Sequence, residues 1–357
     1  MEKKPRLIGI DLLRGIATFA VTILHSDEGL TVVPPGWGAI VEFSSFAVPF
    51  FLATSFYLAI DRLYVSDRQS NLRSRLTRLL IPYGFWSGAY LLQKIAKYAI
   101  KNDFDKLLDL LQDPVALIFF GGAAFHLYFI PLLLAGIFAN QWAERLIKNK
   151  INFQYIVLLG IASLIAYELL LVSNNAFRLD LSTAFQASIK PSIIDTNPLL
   201  RILLVELAWV LRCLPYIFIA MILTKPNIKA AWLKLISSNI IVSIFIVILL
   251  NIYGNFLPKS IYEIIIGYTP LLVAVCISAK LPNSPIISNL GFCSFGIYLI
   301  HLFVVETLQS LTKKILPEDQ ISTFSLLLLA GISFFVSWSL VYYLSKRKKL
   351  AKLMFGT

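Results

Sequence analysis

The chain has 357 residues, 58% of them hydrophobic and only 15% charged, with a mean hydropathy of +0.76. A soluble domain cannot bury that much apolar surface, so the composition excludes an ordinary globular protein and points to the bilayer. The formal net charge of +12 would suit nucleic acid, but the basic residues are banded between apolar runs, which has a membrane explanation, and no nucleic-acid partner is expected.

A spanning helix needs about 20 mostly apolar residues. Such runs occupy 7–26, 38–61, 79–100, 124–144, 152–172, 199–223, 235–252, 262–279, 286–308 and 321–345. They predict an all-α, polytopic integral membrane protein with about ten transmembrane helices. The basic start MEKKPR leads into the first run without a small-residue cleavage site, so no signal peptide is expected. Segment 103–123 is amphipathic at first (FDKLLDLLQDP) and then apolar (VALIFFGGAAF), and reads as an interfacial or re-entrant piece. The chain reads as a single membrane domain over 1–357, with a basic tail at 346–357 and no fused soluble domain. Cys213, Cys276 and Cys293 fall in apolar runs with no metal-ligand spacing, so packing is expected of them, and neither a disulfide nor a metal.

Charge gives the map a direction. With the faces numbered alternately from the N-terminus, one face collects twenty Lys and Arg, from Lys3, Lys4 and Arg6 through Arg62 and Arg68 to Lys346–Lys349 and Lys352. The other collects seven: Lys101, Lys106, Arg178, Lys190, Lys259, Lys313 and Lys314. The positive-inside rule makes the first face cytoplasmic, with both termini inside.

Charge inside a bilayer costs at least about 2.5 kcal/mol per residue at a helix centre, so ionisable residues within the runs point to function. The first run, IGIDLLRGIATFAVTILHS, places Asp11 and Arg14 three apart, as helical neighbours that can pair. Arg14 and His25 are eleven apart. That is close to three turns, so they share a face about 16 Å apart along the axis. Thr18 and Thr22 fall between them. This stripe should line a protein interior or a wet cavity, although a structural Asp–Arg pair with an interfacial histidine would give the same pattern.

The three histidines are placed alike. His25 ends an outward run, His126 begins an inward one in FHLYFIPLL, and His301 lies in the outer half of GFCSFGIYLIHLFVVE. His126 also fits an interfacial anchor beside Tyr128. Ser294, Tyr298 and His301 form a second stripe, equally suited to helix–helix hydrogen bonding. Glu42, Glu206, Glu263 and Glu306 are outer-half carboxylates that can orient a histidine; Glu306 and Glu42 come first because each ends a span near His25 or His301. Arg212 sits mid-span with Arg201 on the same face, and needs a carboxylate or an anionic ligand. On the cytoplasmic side, RSRLTRLLIPY brings Arg73, Arg75 and Arg78 to the start of the third span. Guanidinium groups bind phosphate bidentately, though the positive-inside signal alone would also place arginines there.

Together these pieces resemble membrane-bound acyltransferase family 3, the family of bacterial polysaccharide O-acyltransferases. The likeness covers nearly the whole chain: IDLLRGIATFAVTILH with its Arg–ten residues–His signature (Arg14, His25), then VPFFLATSFYLA, RLTRLLIPY, HLYFIPLLLAG, VLRCLPYIFIAMIL and SFGIYLIH. One departure lies at Thr54, Ser55 and Phe56, where the family usually has a glycine after Ser/Thr. The resemblance implies a donor, acetyl- or another acyl-coenzyme A, docking from the cytoplasm. Its phosphates would meet Arg73, Arg75 and Arg78, its pantetheine arm would pass Arg14, and its thioester would lie near His25. An extracytoplasmic glycan or glycolipid would supply the acceptor hydroxyl.

Acyl transfer to a hydroxyl needs a base, which His25 suits, and donors for the developing oxyanion, for which Tyr298, His301 and His126 are candidates. Two rivals stand beside this reading. One is a proton-coupled secondary transporter, although no paired inverted repeat is evident. The other is an inactive acyltransferase-like scaffold of a polysaccharide-export system. Nothing in the sequence bears on oligomeric state.

Overall fold

The computed structural model describes residues 6–66, 71–315, 317 and 320–357. Lys3, Lys4 and Arg68 of the charge count lie outside them. The helices in chain order are α1 (Ile8–Leu24), α2 (Trp37–Ser44), α3 (Ala47–Ser66), α4 (Leu72–Ile100), α5 (Phe104–Gln112), α6 (Pro114–Phe119), α7 (Phe129–Lys148) and α8 (Phe153–Val172). Then follow α9 (Pro191–Thr196), α10 (Pro198–Thr224), α11 (Pro226–Ser238), α12 (Ile240–Tyr253), α13 (Lys259–Ile277), α14 (Pro285–Ile315), α15 (Thr323–Ser345) and α16 (Lys348–Phe355). Among the described residues the one β feature is an isolated bridge, Arg178 to Thr183.

Several starts are written in the sequence. Proline opens α6, α9, α10, α11 and α14, where its missing N–H has no helical partner to lose. Side chains of Asn71, Asp113, Asn152 and Ser322 accept from backbone N–H groups at the starts of α4, α6, α8 and α15.

The protein is an all-α polytopic membrane protein. Among the described residues seven helical stretches are long and apolar enough to cross a bilayer: Trp37–Tyr64, Phe125–Lys148, Phe153–Val172, Pro198–Thr224, Lys259–Ile277, Pro285–Lys314 and Thr323–Ser345. An eighth results if the pair Pro226–Ser238 and Ile240–Phe256, bent by 97°, makes one span. All ten apolar runs of the sequence are helical, but α1 and α4 are not in this set. α1 has 17 residues, and α4 mixes Tyr83, Trp86, Ser87, Gly88 and Gln93 among its apolar residues.

The run 235–252 needs a new boundary. Residues up to Ser238 belong to α11, and Asn239 breaks the helix at φ −129°, ψ 44°. The cause is local competition for carbonyls: Ser238 Oγ donates to Lys234 O at 2.8 Å, and Asn239 Nδ2 donates to Leu235 O at 3.3 Å. Segment 103–123 likewise resolves into two short helices, α5 and α6, separated at Asp113 and Pro114.

Contacts divide the chain into two compact units, residues 1–55 with 225–351 and residues 56–224 with 352–357. In the first, α1 packs most extensively on α14, then on α13 and α15. Close approach depends on glycine: a Cβ at Gly291 of α14 would lie 2.3 Å from Asp11 Oδ1. Asp11 is ion-paired with Arg6, whose Nη2 also donates to Ser288 O at 2.8 Å. The expected i,i+3 partner, Arg14, is not the residue in this contact. Arg6 precedes the helix, so its side chain can fold over the first turn, where a carboxylate is already favoured by the helix dipole.

In the second unit, α10 packs on α8 and α7. Arg201 gives Nη2 to Asp113 Oδ2 at 2.6 Å and Nε to Ser182 O at 3.0 Å, and its guanidinium lies 5.6 Å from the Phe120 ring centroid. This accounts for Arg201 as a structural clamp on the 178–183 loop. Tyr83 donates to Ile118 O at 2.9 Å and accepts from Gly121 N at 3.0 Å. The basic tail is not extended: α16 forms, Phe355 is buried, and Trp86 Nε1 donates to Met354 O at 2.8 Å.

Candidate active site

On the α1 stripe Asp11, Thr18 and Thr22 are buried, and Arg14 and His25 are half-buried. Thr18 and Thr22 are wholly enclosed. Their hydroxyls turn back on their own helix, Thr18 Oγ1 to Arg14 O at 2.7 Å and Thr22 Oγ1 to Thr18 O at 3.1 Å, and Ser26 Oγ continues the ladder to Thr22 O at 2.7 Å. These bonds satisfy the hydroxyls within their own helix, away from the apolar surroundings.

His25 is the residue that caps the C-terminal end of α1. The chain then turns sharply: Leu30 N donates to Asp27 O at 3.1 Å, and Gly29 takes φ +73°, a conformation glycine adopts without a Cβ penalty. The turn folds Glu28 back over the helix end, and its Oε1 lies 2.6 Å from His25 Nδ1. A carboxylate can only accept, so Nδ1 carries the hydrogen and Nε2 is the nitrogen left to take a proton. The His25 side chain is 16% exposed, which makes it sheltered but accessible.

α14 brings the second ring. His301 is fully buried, with its centroid 5.3 Å from that of His25 and the planes tilted by 32°. Its Nδ1 lies 2.7 Å from Tyr298 O, another obligate acceptor, so its Nε2 too presents a lone pair in the neutral ring. This bears on the expected oxyanion role. His301 can donate from Nε2 only as an imidazolium, and a second cation beside a protonated His25 is disfavoured by repulsion. Tyr298, whose ring centroid is 6.1 Å from that of His301, keeps a hydroxyl donor in any state. Ser294 is occupied within its own helix, donating to Gly291 O at 2.9 Å.

Of the residues singled out in the sequence, the first unit therefore brings together His25, His301 and Tyr298, with Arg14 on the helix that carries His25. The carboxylate on His25 is Glu28, which reasoning from within the spans missed. Glu42 accepts from Asn255 Nδ2, and the Glu306 carbonyl accepts from Ser310 Oγ at 2.7 Å. The sequence signal for Glu28 was present: an acidic residue three after a helix-ending histidine and just before a glycine, in HSDEG.

His126, Arg73, Arg75 and Arg78 belong to the second unit. His126 is buried in a 3-10 turn, Phe125–Tyr128, edge-on to Tyr90 with ring centroids 5.1 Å apart. Arg75 lies within Coulombic reach of Glu144 and Arg62. Glu144 accepts from Asn140 Nδ2 at 3.3 Å. Arg78 O meets the chain end, where a Cβ at Gly356 would approach it to 2.1 Å.

Among known families, the profile described as an acyltransferase domain matches residues 7–343, nearly the whole chain. Comparison with curated proteins and with solved structures yields no match.

Proposed function

The chain belongs to acyltransferase family 3, and from that premise we propose that it moves an acyl group from cytoplasmic acyl-coenzyme A to a hydroxyl of an extracytoplasmic glycan or glycolipid. Acetyl is the group we assign, which makes the protein an O-acetyltransferase. It works in the plasma membrane, with ten spans and both termini in the cytoplasm, as the charge bands support. Arg73, Arg75 and Arg78 receive the donor's phosphates.

The observation that carries this reading is the Glu28–His25 pair, in which the carboxylate faces Nδ1 at 2.6 Å. In the forward step, His25 Nε2 takes the proton of the acceptor hydroxyl as the oxygen attacks the thioester carbonyl. The charge that develops on the carbonyl oxygen needs a donor, supplied by Tyr298. Collapse of the tetrahedral intermediate breaks the C–S bond, and His25 returns its proton to the leaving sulfur. The products are the ester and free coenzyme A, with no covalent acyl-enzyme required. Glu28 holds the ring in one tautomer and stabilises the imidazolium between the two proton transfers. His301, whose ring lies beside that of His25, packs against it and limits its movement.

The test is purified protein in nanodiscs, given acetyl-coenzyme A and total cell-surface glycan, with thiol release and label on the glycan both measured. His25→Ala, inserted and folded as the parent, is expected to lose at least about a hundredfold in rate, the lower range for a general base. Parental turnover in that variant would refute the assignment.

A further inference from the structure

The turn that carries Glu28 is held from outside. Residues 26–30 lie beyond the end of α1, so their carbonyls have no partner within that helix. Two side chains of α14 supply partners. Gln309, itself buried, gives Nε2 to Glu28 O at 2.6 Å and approaches Ser26 O at 3.5 Å. One turn further along, Lys313 Nζ donates to Gly29 O at 2.6 Å.

The Glu28 carboxylate reaches His25 only while the backbone of residue 28 stays folded back over the helix end. A short turn closed by the backbone bond from Leu30 N to Asp27 O would open readily by itself. Gln309 bonds the carbonyl of the very residue whose side chain must be placed. It also stands eight positions from His301 on the same helix, about 12 Å along the axis at 1.5 Å per residue. One rigid helix thus fixes both the second ring and the carboxylate behind the first.

We propose that Gln309 is a positioning residue that holds Glu28 against His25 Nδ1. The proposal rests on the reading of His25 as the base. Support of this kind, from a group that never meets the substrate, sets how well a reacting constellation keeps its geometry.

Gln309→Leu, Glu28→Gln and the double variant would be assayed in nanodiscs for thiol release from acetyl-coenzyme A, with melting temperatures recorded. Gln309→Leu is expected to lower kcat about tenfold and leave KM for acetyl-coenzyme A within about twofold, the pattern of a lost transition-state interaction. In the Glu28→Gln background the leucine should add nothing, because both changes remove the same contact. Gln309→Lys, whose ammonium can donate to the same two carbonyls, should restore most of the rate. If the leucine variant does not fold, Gln309→Glu replaces it, keeping the size while turning the donor into an acceptor. Additive losses in the double variant, or parental kcat in the folded single variant, would overturn the proposal. If Glu28→Gln slows turnover and Gln309→Leu does not, the clamp alone fails. If Glu28→Gln itself turns over like the parent, the carboxylate has no role to position and the proposal falls with it, whereas the base assignment fails only if His25→Ala keeps parental turnover.

Discussion

Glu28→Gln is the most informative single change in the site. The substitution keeps the length and shape of the side chain but removes the charge that faces His25 Nδ1 at 2.6 Å. A hydrogen bond between an ionised and a polar partner contributes about 1.5–3 kcal/mol when it forms. At 1.36 kcal/mol per tenfold change in rate, full loss of that interaction in the transition state slows turnover about 10- to 150-fold. Glu28 is 35% exposed, so solvent screening draws the expectation toward the lower end, about 10- to 30-fold. The amide can also present its NH2 to the ring and stabilise the wrong tautomer, which acts in the same direction. The assay is steady-state thiol release from acetyl-coenzyme A by protein in nanodiscs. Glu28→Asp serves as a control that keeps the charge but shortens the reach. Turnover within twofold of the parent, in a variant with parental melting behaviour, would refute the argument that this carboxylate supports the base.

Gly291→Val should destabilise the first unit, because a Cβ at that position already lies 2.3 Å from Asp11 Oδ1 and 2.4 Å from its Cβ. Overpacking of this kind costs about 1–3 kcal/mol, and a detergent melting curve unchanged from the parent would contradict the packing of α1 on α14. The start of α5 should depend on pH. The Lys106 ammonium, donating to Asp103 Oδ2 at 2.8 Å, is the main cause that holds the Asp103 carboxyl below its ordinary value, with the Lys106 backbone N–H assisting. A lowered carboxylate contributes its stability above the unfolded value and loses it as pH falls through the folded one. Hydrogen exchange at residues 104–107, corrected for intrinsic rates, should therefore accelerate between about pH 5 and about pH 2, and equal protection at both ends would contradict the cap.

Much of this arrangement is legible in the sequence because bilayer physics writes in long, coarse signals. Every apolar run is helical, though 38–61 and 235–252 each divide between two helices, and spacing of eleven does put Arg14 and His25 on one face of α1. The rings of His25 and His301, from separate apolar runs, meet in one unit with centroids 5.3 Å apart. What the sequence hides is short range and conformational. Glu28 lies in a turn, outside every span, and becomes a partner of His25 only through the reversal at Gly29 and the hold of Gln309 from a helix about 280 residues away. The Asp11 partner is obscured for a similar reason: Arg6 precedes the helix, and helical spacing rules do not reach it. Hydropathy averaging runs straight through Asn239, because one polar residue barely changes a window that a local carbonyl competition breaks. At the C-terminus the lysines mark a basic tail, and within it Ala351 and Phe355, four apart and both buried, make one side of α16 a packing face.

The central claim is transfer across the membrane. It is tested most directly in sealed vesicles with one orientation, carrying surface glycan in the lumen and given labelled acetyl-coenzyme A only at the cytoplasmic face. The account predicts ester-linked label on the enclosed glycan, abolished by His25→Ala, with one thiol released outside for each group transferred. Label that enters without becoming covalently attached, or attachment that persists in the alanine variant, would contradict it.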